Sequence, residues 1–173
     1  MKYFKIILFT FVLLNFYNLS FSSEIYFVDM KKILNESKAG KKAQTFLKKK
    51  FESENKKFEK EGAALKKQET DLIAKRKLVS QEEYKKELNS LREKSASYQK
   101  RKRQASNEWV KKKNEARAKI IEALNPILQQ YMNDNNIQTL IDKKNILLAN
   151  SKLDLTEKIL KILDKQVQSI QLK

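Results

Sequence analysis

The chain has 173 residues, with 38 Lys and Arg against 21 Asp and Glu, a formal net charge of +17. It has no histidine and no cysteine, which excludes disulfides, thiol nucleophiles, histidine-based catalysis, zinc sites built on His or Cys and charge switching near neutral pH. Two glycines and one proline leave no Gly-rich phosphate loop, so neither an enzyme nor a cofactor is expected.

Lys2 and Lys5 open the chain, residues 6–14 are apolar except for Thr10, and Ser20 and Ser22 put small residues where a signal peptidase reads. Residues 1–22 are therefore expected to be a secretory signal, cut near Ser22/Ser23, which exports the mature chain. The alternative is an uncleaved anchor, but the run falls short of the roughly 20 apolar residues that span a bilayer. Residues 23–173 suit one domain.

Ile25-Tyr26-Phe27-Val28-Asp29 is apolar and β-branched and reads as one strand. A helical turn over residues 31–35 follows, and Ser37 is expected to N-cap a long helix. Residues 41–125 hold no proline, one glycine (Gly62) and 26 Lys and Arg against 13 Asp and Glu, a net of +13. Apolar residues recur there every seven positions: Phe51, Phe58, Leu65, Leu72 and Val79, then Tyr84, Leu88, Leu91, Tyr98, Ala105, Trp109 and Ala116 with steps of four, three and seven. Such a repeat predicts helices that wind around a partner. It breaks at residues 78–83, where Ser80 and Glu83 form a capping box that starts a new helix. Two helices of about 38 residues each, folded back on one another, give an arm about 55–60 Å long.

Pro126 is expected to end or kink the second helix. Asp134-Asn135-Asn136 then makes a turn, residues 137–142 a strand, residues 143–145 another turn and Ile146-Leu147-Leu148-Ala149 a second strand of a hairpin. Asp154 and Glu157 form a capping-box variant before a final helix with Leu155, Ile159, Ile162 and Leu163 on one face. The fold class is mainly α with a small β part: a long antiparallel coiled-coil arm (residues 41–119, tip near 76–82) on a strand-containing oligomerisation body (residues 23–40 and 120–173). A body of this size is marginal alone, and open strand edges invite pairing, so self-association is expected.

The seam residues are Phe51, Phe58, Leu65, Leu72, Tyr84, Leu88, Leu91, Tyr98 and Trp109. In the first helix the second heptad position holds Glu54, Glu61, Gln68 and Lys75, so the seam is half empty for a coiled coil. These residues either meet only each other or leave aromatic edges open to a bound chain; both can hold. Lysines flank the seam. The candidate client-binding residues are Lys48, Lys49, Lys56, Lys57, Lys66, Lys67, Lys100, Arg101, Arg103, Lys111 and Lys112. They either solvate the helices or carry a one-signed field that draws in acidic polypeptide, lipid phosphate or nucleic acid. Part of the lysine excess also fits a base-composition bias, since Asn and Ile are abundant too.

Taken together, Ile25-Tyr26-Phe27-Val28-Asp29-Met30, Glu69-Thr70-Asp71-Leu72-Ile73-Ala74-Lys75, residues 103–108, 137–142 and 146–149, and Asp154-Leu155-Thr156-Glu157 resemble the Skp/OmpH family of periplasmic chaperones for outer-membrane proteins. The likeness covers essentially the whole chain after the signal segment. It implies a homotrimer whose strands join into a β-barrel body, with helical tentacles enclosing unfolded outer-membrane β-barrel proteins without ATP. It also implies contact with anionic lipid or lipopolysaccharide, with no residue assigned to it. The chain beyond Leu163 is longer than the family's closing helix. Two other readings stand beside this one: a basic coiled coil that binds anionic surfaces or nucleic acid, and a structural spacer. The export signal and the dominance of lysine over arginine argue against nucleic acid.

Overall fold

The computed structural model describes residues 24–172; the expected signal segment and its cleavage position lie outside them. In chain order the elements are β1 (Ile25–Val28), α1 (Met30–Glu36), α2 (Lys38–Lys75), α3 (Gln81–Asp134), β2 (Thr139–Asp142), short 3-10 turns at Lys143–Asn145 and Ser151–Leu153, and α4 (Thr156–Gln166). The expected fold class holds: two long helices pair antiparallel and spring from a small strand-containing body.

Each long helix starts where the sequence places a serine cap. Ser37 Oγ accepts from the Gly40 N–H at 3.1 Å, and Ser80 Oγ accepts from the Glu83 N–H at 3.2 Å, satisfying donors that a helix end leaves open. Glu82 and Glu83 lie in the first turn of α3, where negative charge suits the helix dipole. Ser37 is fully buried and also closes α1, its N–H bonding the Ile33 carbonyl at 3.2 Å. One residue therefore makes the corner between body and arm. Gly40 sits inside that corner: a Cβ there would meet the Leu34 carbonyl oxygen at 2.1 Å. From the corner α2 runs 38 residues, about 57 Å at ~1.5 Å per residue.

The second arm helix does not end at Pro126. α3 continues to Asp134, 54 residues in all, with Pro126 inside it. A proline in mid-helix removes one bond and crowds the preceding turn, at a cost of about 3 kcal/mol. Ile120, Leu124 and Ile127 are buried on either side, and Leu128, Tyr131 and Met132 pack on the same core, which offsets that cost at ~1.5–3 kcal/mol for each fully buried large side chain. The helix stops at the predicted turn. Asn136 takes a positive φ of 54°, the Asn136 N–H bonds the Asn133 carbonyl and the Ile137 N–H bonds the Met132 carbonyl at 2.9 Å. This is a Schellman ending with asparagine in the left-handed position.

The strand pairing differs from the expected hairpin. β2 pairs in parallel with β1, Ile25 opposite Thr139 and Val28 opposite Asp142, and Phe27 makes a further parallel bridge to Asp154. Residues 146–149 form no strand. The Asp142 carboxylate accepts from the Lys144 N–H at 3.3 Å and starts a 3-10 turn that carries the chain off the sheet. Ile146-Leu147-Leu148-Ala149 is apolar on both faces, so as a strand it needs cover on two sides, and a single chain offers neither.

The body core gathers Val28, Ile33, Leu34, Ala39, Ile120, Leu124, Ile127, Ile137, Leu155, Ile159 and Leu163, drawn from β1, all four α-helices and the loops before β2 and α4. Polar ties close it. Thr156 Oγ1 accepts from the Asp29 N–H at 2.8 Å and donates to Asp154, while Asp29 itself caps α1 through the Lys32 N–H at 2.8 Å. The expected capping box at α4 is not formed: Leu155 holds the cap position without a side-chain bond. Asp154 binds the Thr156 N–H and hydroxyl instead, and Glu157 pairs with Lys32 at 2.5 Å. Among the described residues no buried side-chain polar atom lacks a partner.

Candidate functional site: the arm seam and its basic rim

The heptad stripe does what its spacing requires. Phe51 meets Trp109 with ring centroids 4.7 Å apart, and Phe58 meets Tyr98 edge-on at 6.0 Å. Successive partners step up one helix and down the other, so the helices run antiparallel. Leu72 is buried near the tip, while Phe58, Leu65, Tyr84, Leu88, Leu91, Tyr98 and Trp109 are only half-buried and Phe51 is exposed. The seam is as thin as the empty heptad positions imply.

One of those positions is not empty. Glu61 receives both terminal nitrogens of Arg101 from the opposite helix, Nη1 donating to Oε2 at 3.0 Å and Nη2 to Oε1. The hydrogen bonds from Arg101 hold the Glu61 carboxyl below its ordinary range, and the guanidinium is raised in return. One turn away, Tyr98 donates its hydroxyl to the Phe58 carbonyl at 3.2 Å, and Gly62 leaves room for that hydroxyl, since a Cβ there would meet it at 2.8 Å. Glu61, Gly62, Tyr98 and Arg101 form a clasp in mid-arm.

The seam opens into grooves on either side of the clasp. At the root, a groove of about 650 Å³ is floored by Leu34, Ala43, Leu47 and Ala116 and rimmed by Lys31, Lys48, Lys113 and Arg117. Toward the tip, another of about 650 Å³ is floored by Leu65, Leu72, Tyr84, Leu88 and Leu91 and rimmed by Lys66 and Arg92. Between root and clasp, a smaller pocket of about 180 Å³ is bordered by Phe51, Trp109, Lys50 and Lys112. The root groove alone has a purely cationic rim; Glu69 joins Lys66 and Arg92 at the tip groove, and Glu54 and Glu108 face Lys50 and Lys112 at the small pocket.

Of the candidate cations, Lys48, Lys66 and Lys112 border these openings. Lys49, Lys56, Lys57, Lys67, Lys100, Arg103 and Lys111 are exposed along the helices, and Arg101 is engaged in the clasp. Lys48 also lies 3.9 Å from Glu52, one turn on. Lys31, Lys113, Arg117 and Arg92 belong to the rims and were not among the candidates. Lys113 and Arg117 stand four apart, one turn on the same helix face, and the step from Trp109 to Lys113 to Arg117 was the signal available. Among the described residues no acidic cluster could hold a metal ion, and no helix is long and apolar enough to cross a membrane.

A small mixed body carries a long antiparallel helix pair whose thin seam opens into grooves, the one at the root rimmed by lysine and arginine. The chain belongs to the family of outer membrane proteins (OmpH-like), whose model matches residues 24–163. Among solved structures it is similar to a candidate outer membrane chaperone (OmpH-like) from Caulobacter crescentus CB15, with a TM-score of 0.79 and 21% identity over 86% of this chain and 88% of that one. Among curated proteins nothing matches.

Proposed function

We propose that this protein is an ATP-independent periplasmic holdase. It keeps unfolded outer-membrane β-barrel proteins from aggregating, in a cavity between the basic arms of a homo-oligomer, a trimer. The observation that carries the reading is the apolar floor with a cationic rim at the arm root, in a chain of OmpH-like family. Strands of an uninserted barrel expose apolar faces and unpaired backbone. Shallow grooves take up the apolar side chains through many weak contacts, and the positive rim attracts clients of acidic net charge over about a Debye length, near 8–10 Å at ordinary salt. Release then needs no fuel, only a destination that offers the strands a better partner.

Assembly of several chains is supported by the body surface. Leu147 and Leu148, five and six residues beyond β2, are 103% and 92% exposed, and Ile25 of β1 is 51% exposed. Fully burying each leucine against a neighbour contributes about 1.5–3 kcal/mol, and a neighbour's strand edge supplies the second face that residues 146–149 lack.

The test is dilution of a urea-unfolded outer-membrane barrel protein into buffer with and without the purified protein, following turbidity at low and high salt. Suppression of aggregation that weakens as salt rises is expected. Undiminished turbidity at both salts overturns the reading. Tight binding of duplex DNA at physiological salt, with no effect on turbidity, would favour the nucleic-acid alternative.

A further inference from the structure

The chain does not stop at the body. The Val167 N–H closes α4 on the Leu163 carbonyl at 2.7 Å, and residues 168–172 then run without helix or strand to the arm root. Ile170 packs on both the body core and the cluster of Ala43, Leu47 and Ala116; Leu172 packs on that cluster alone, beside Trp109. Lys119 Nζ donates to the Gln171 carbonyl at 2.6 Å. Val167, Ile170 and Leu172 are half-buried while Gln168, Ser169 and Gln171 are exposed; over residues 169–172 the two classes alternate, as in an extended strand lying on a surface. Residues 166–172 carry no charge, in a chain whose residues are 34% charged.

Three features set this contact apart from ordinary packing. Its floor is built on two alanines and one leucine, a shallow surface that selects no particular shape. Its polar grip falls on a main-chain carbonyl, a group every peptide presents. Its occupant lies beyond residues 24–163 that match the family model. The tail packs on Ala43, Leu47 and Ala116, which also floor the root groove, while none of its own residues lines that groove.

We propose that this flank of the arm root is a binding site for one extended, uncharged strand with apolar residues at alternate positions, and that the C-terminal tail is its resident occupant, displaced by a client strand. The proposal rests on the holdase reading and deepens it: the tail has the chemistry of a membrane-barrel strand, apolar on one face and polar on the other. Two half-buried side chains and one lysine–carbonyl bond make a hold that a longer client strand outcompetes. While no client is present, the tail covers apolar surface that would otherwise join arm to arm.

Trp109, the single tryptophan, reports the site. The probe is a synthetic peptide copied from one transmembrane strand of a barrel protein, titrated while Trp109 emission is followed. Three proteins are compared: the intact chain, a chain ending at Gln166, and Leu172→Asp, which alters a side chain that touches the arm root and not the body core. If the tail fills the site nine-tenths of the time, both variants bind the peptide about tenfold more tightly than the intact chain. Addition of a free peptide of residues 166–173 to the truncated chain restores the weaker binding. Equal affinity in all three, or binding that leaves Trp109 emission unchanged, overturns the proposal. The turbidity assay separates the two levels: if truncated and intact chains both suppress aggregation but bind the strand alike, only this inference fails, and if neither suppresses aggregation, the holdase reading fails.

Discussion

Gly40 and Gly62 show how the same residue serves two ends. At Gly40 a methyl group would strike a carbonyl oxygen of α1, and backbone cannot step aside without moving the corner between body and arm. Gly40→Ala should therefore destabilise by roughly 1–3 kcal/mol, as overpacking does, seen as a lower urea midpoint with unchanged slope. At Gly62 the methyl would strike the end of the Tyr98 side chain, which can swing away. The helix gains about 1 kcal/mol from alanine, while the displaced hydroxyl forfeits about 0.5–1.5 kcal/mol. Gly62→Ala should leave the urea midpoint nearly unchanged. The two serine caps were legible in the sequence because a cap is a matter of three neighbouring residues. The need for Gly40 was not, because the clashing atom belongs to the preceding helix.

Among the elements, the arm was the most legible, since a seven-residue stripe is local and sets the seam by itself. What it could not reveal was Glu61. The stripe marks it as a gap, and its partner Arg101 lies 40 residues away. Since Arg101 lowers the Glu61 pKa, the pair supports the closed arm at pH values above the unfolded carboxylate range, near ~4.3, and that support is lost as pH falls through the lowered folded value. Both groups are solvent-exposed, so the effect is modest and weakens with salt. The chain lacks cysteine, so spin labels can be placed on the two helices beside the clasp. The interlabel distance should broaden on acidification in the parent chain, and in Glu61→Gln it should already be broad at neutral pH.

The rims make a second prediction at this scale. Charge reversal of Lys48, Lys113 and Arg117 together should weaken capture of an acidic unfolded barrel protein at low salt, and the difference from the parent chain should shrink as salt rises. A structural spacer would be indifferent to all three. The β part was the least legible element. Residues 137–142 and 146–149 look like neighbours in a hairpin, but β2 finds its partner at the other end of the chain. Of the two outcomes expected at Pro126, an end to the helix fails for a related reason: helix-breaking is a local rule, and the buried side chains on both sides of it carry the helix through.

For the molecule as a whole, the unmatched surface at Leu147 and Leu148 sets the expectation. Replacing both with aspartate should convert the assembly to monomers at micromolar concentration, read by light-scattering mass, and should leave the helical signal of the arm in place. A parent chain that is itself monomeric under those conditions would remove the trimer from the proposed function.

The parallel pairing of β1 with β2 has a consequence for how the molecule comes into being. Ile25 must find Thr139, and closing so long an intervening stretch directly is slow and entropically costly. The two arm helices shorten that search. They pair through neighbours along the chain, zip from the Ser80 turn on the microsecond scale of local structure, and deliver the two strands to one place already side by side. With the N-terminus leading, the arm can be complete before β2 arrives. The body is then the last part to close, and the arm serves as the scaffold that brings its two strands together.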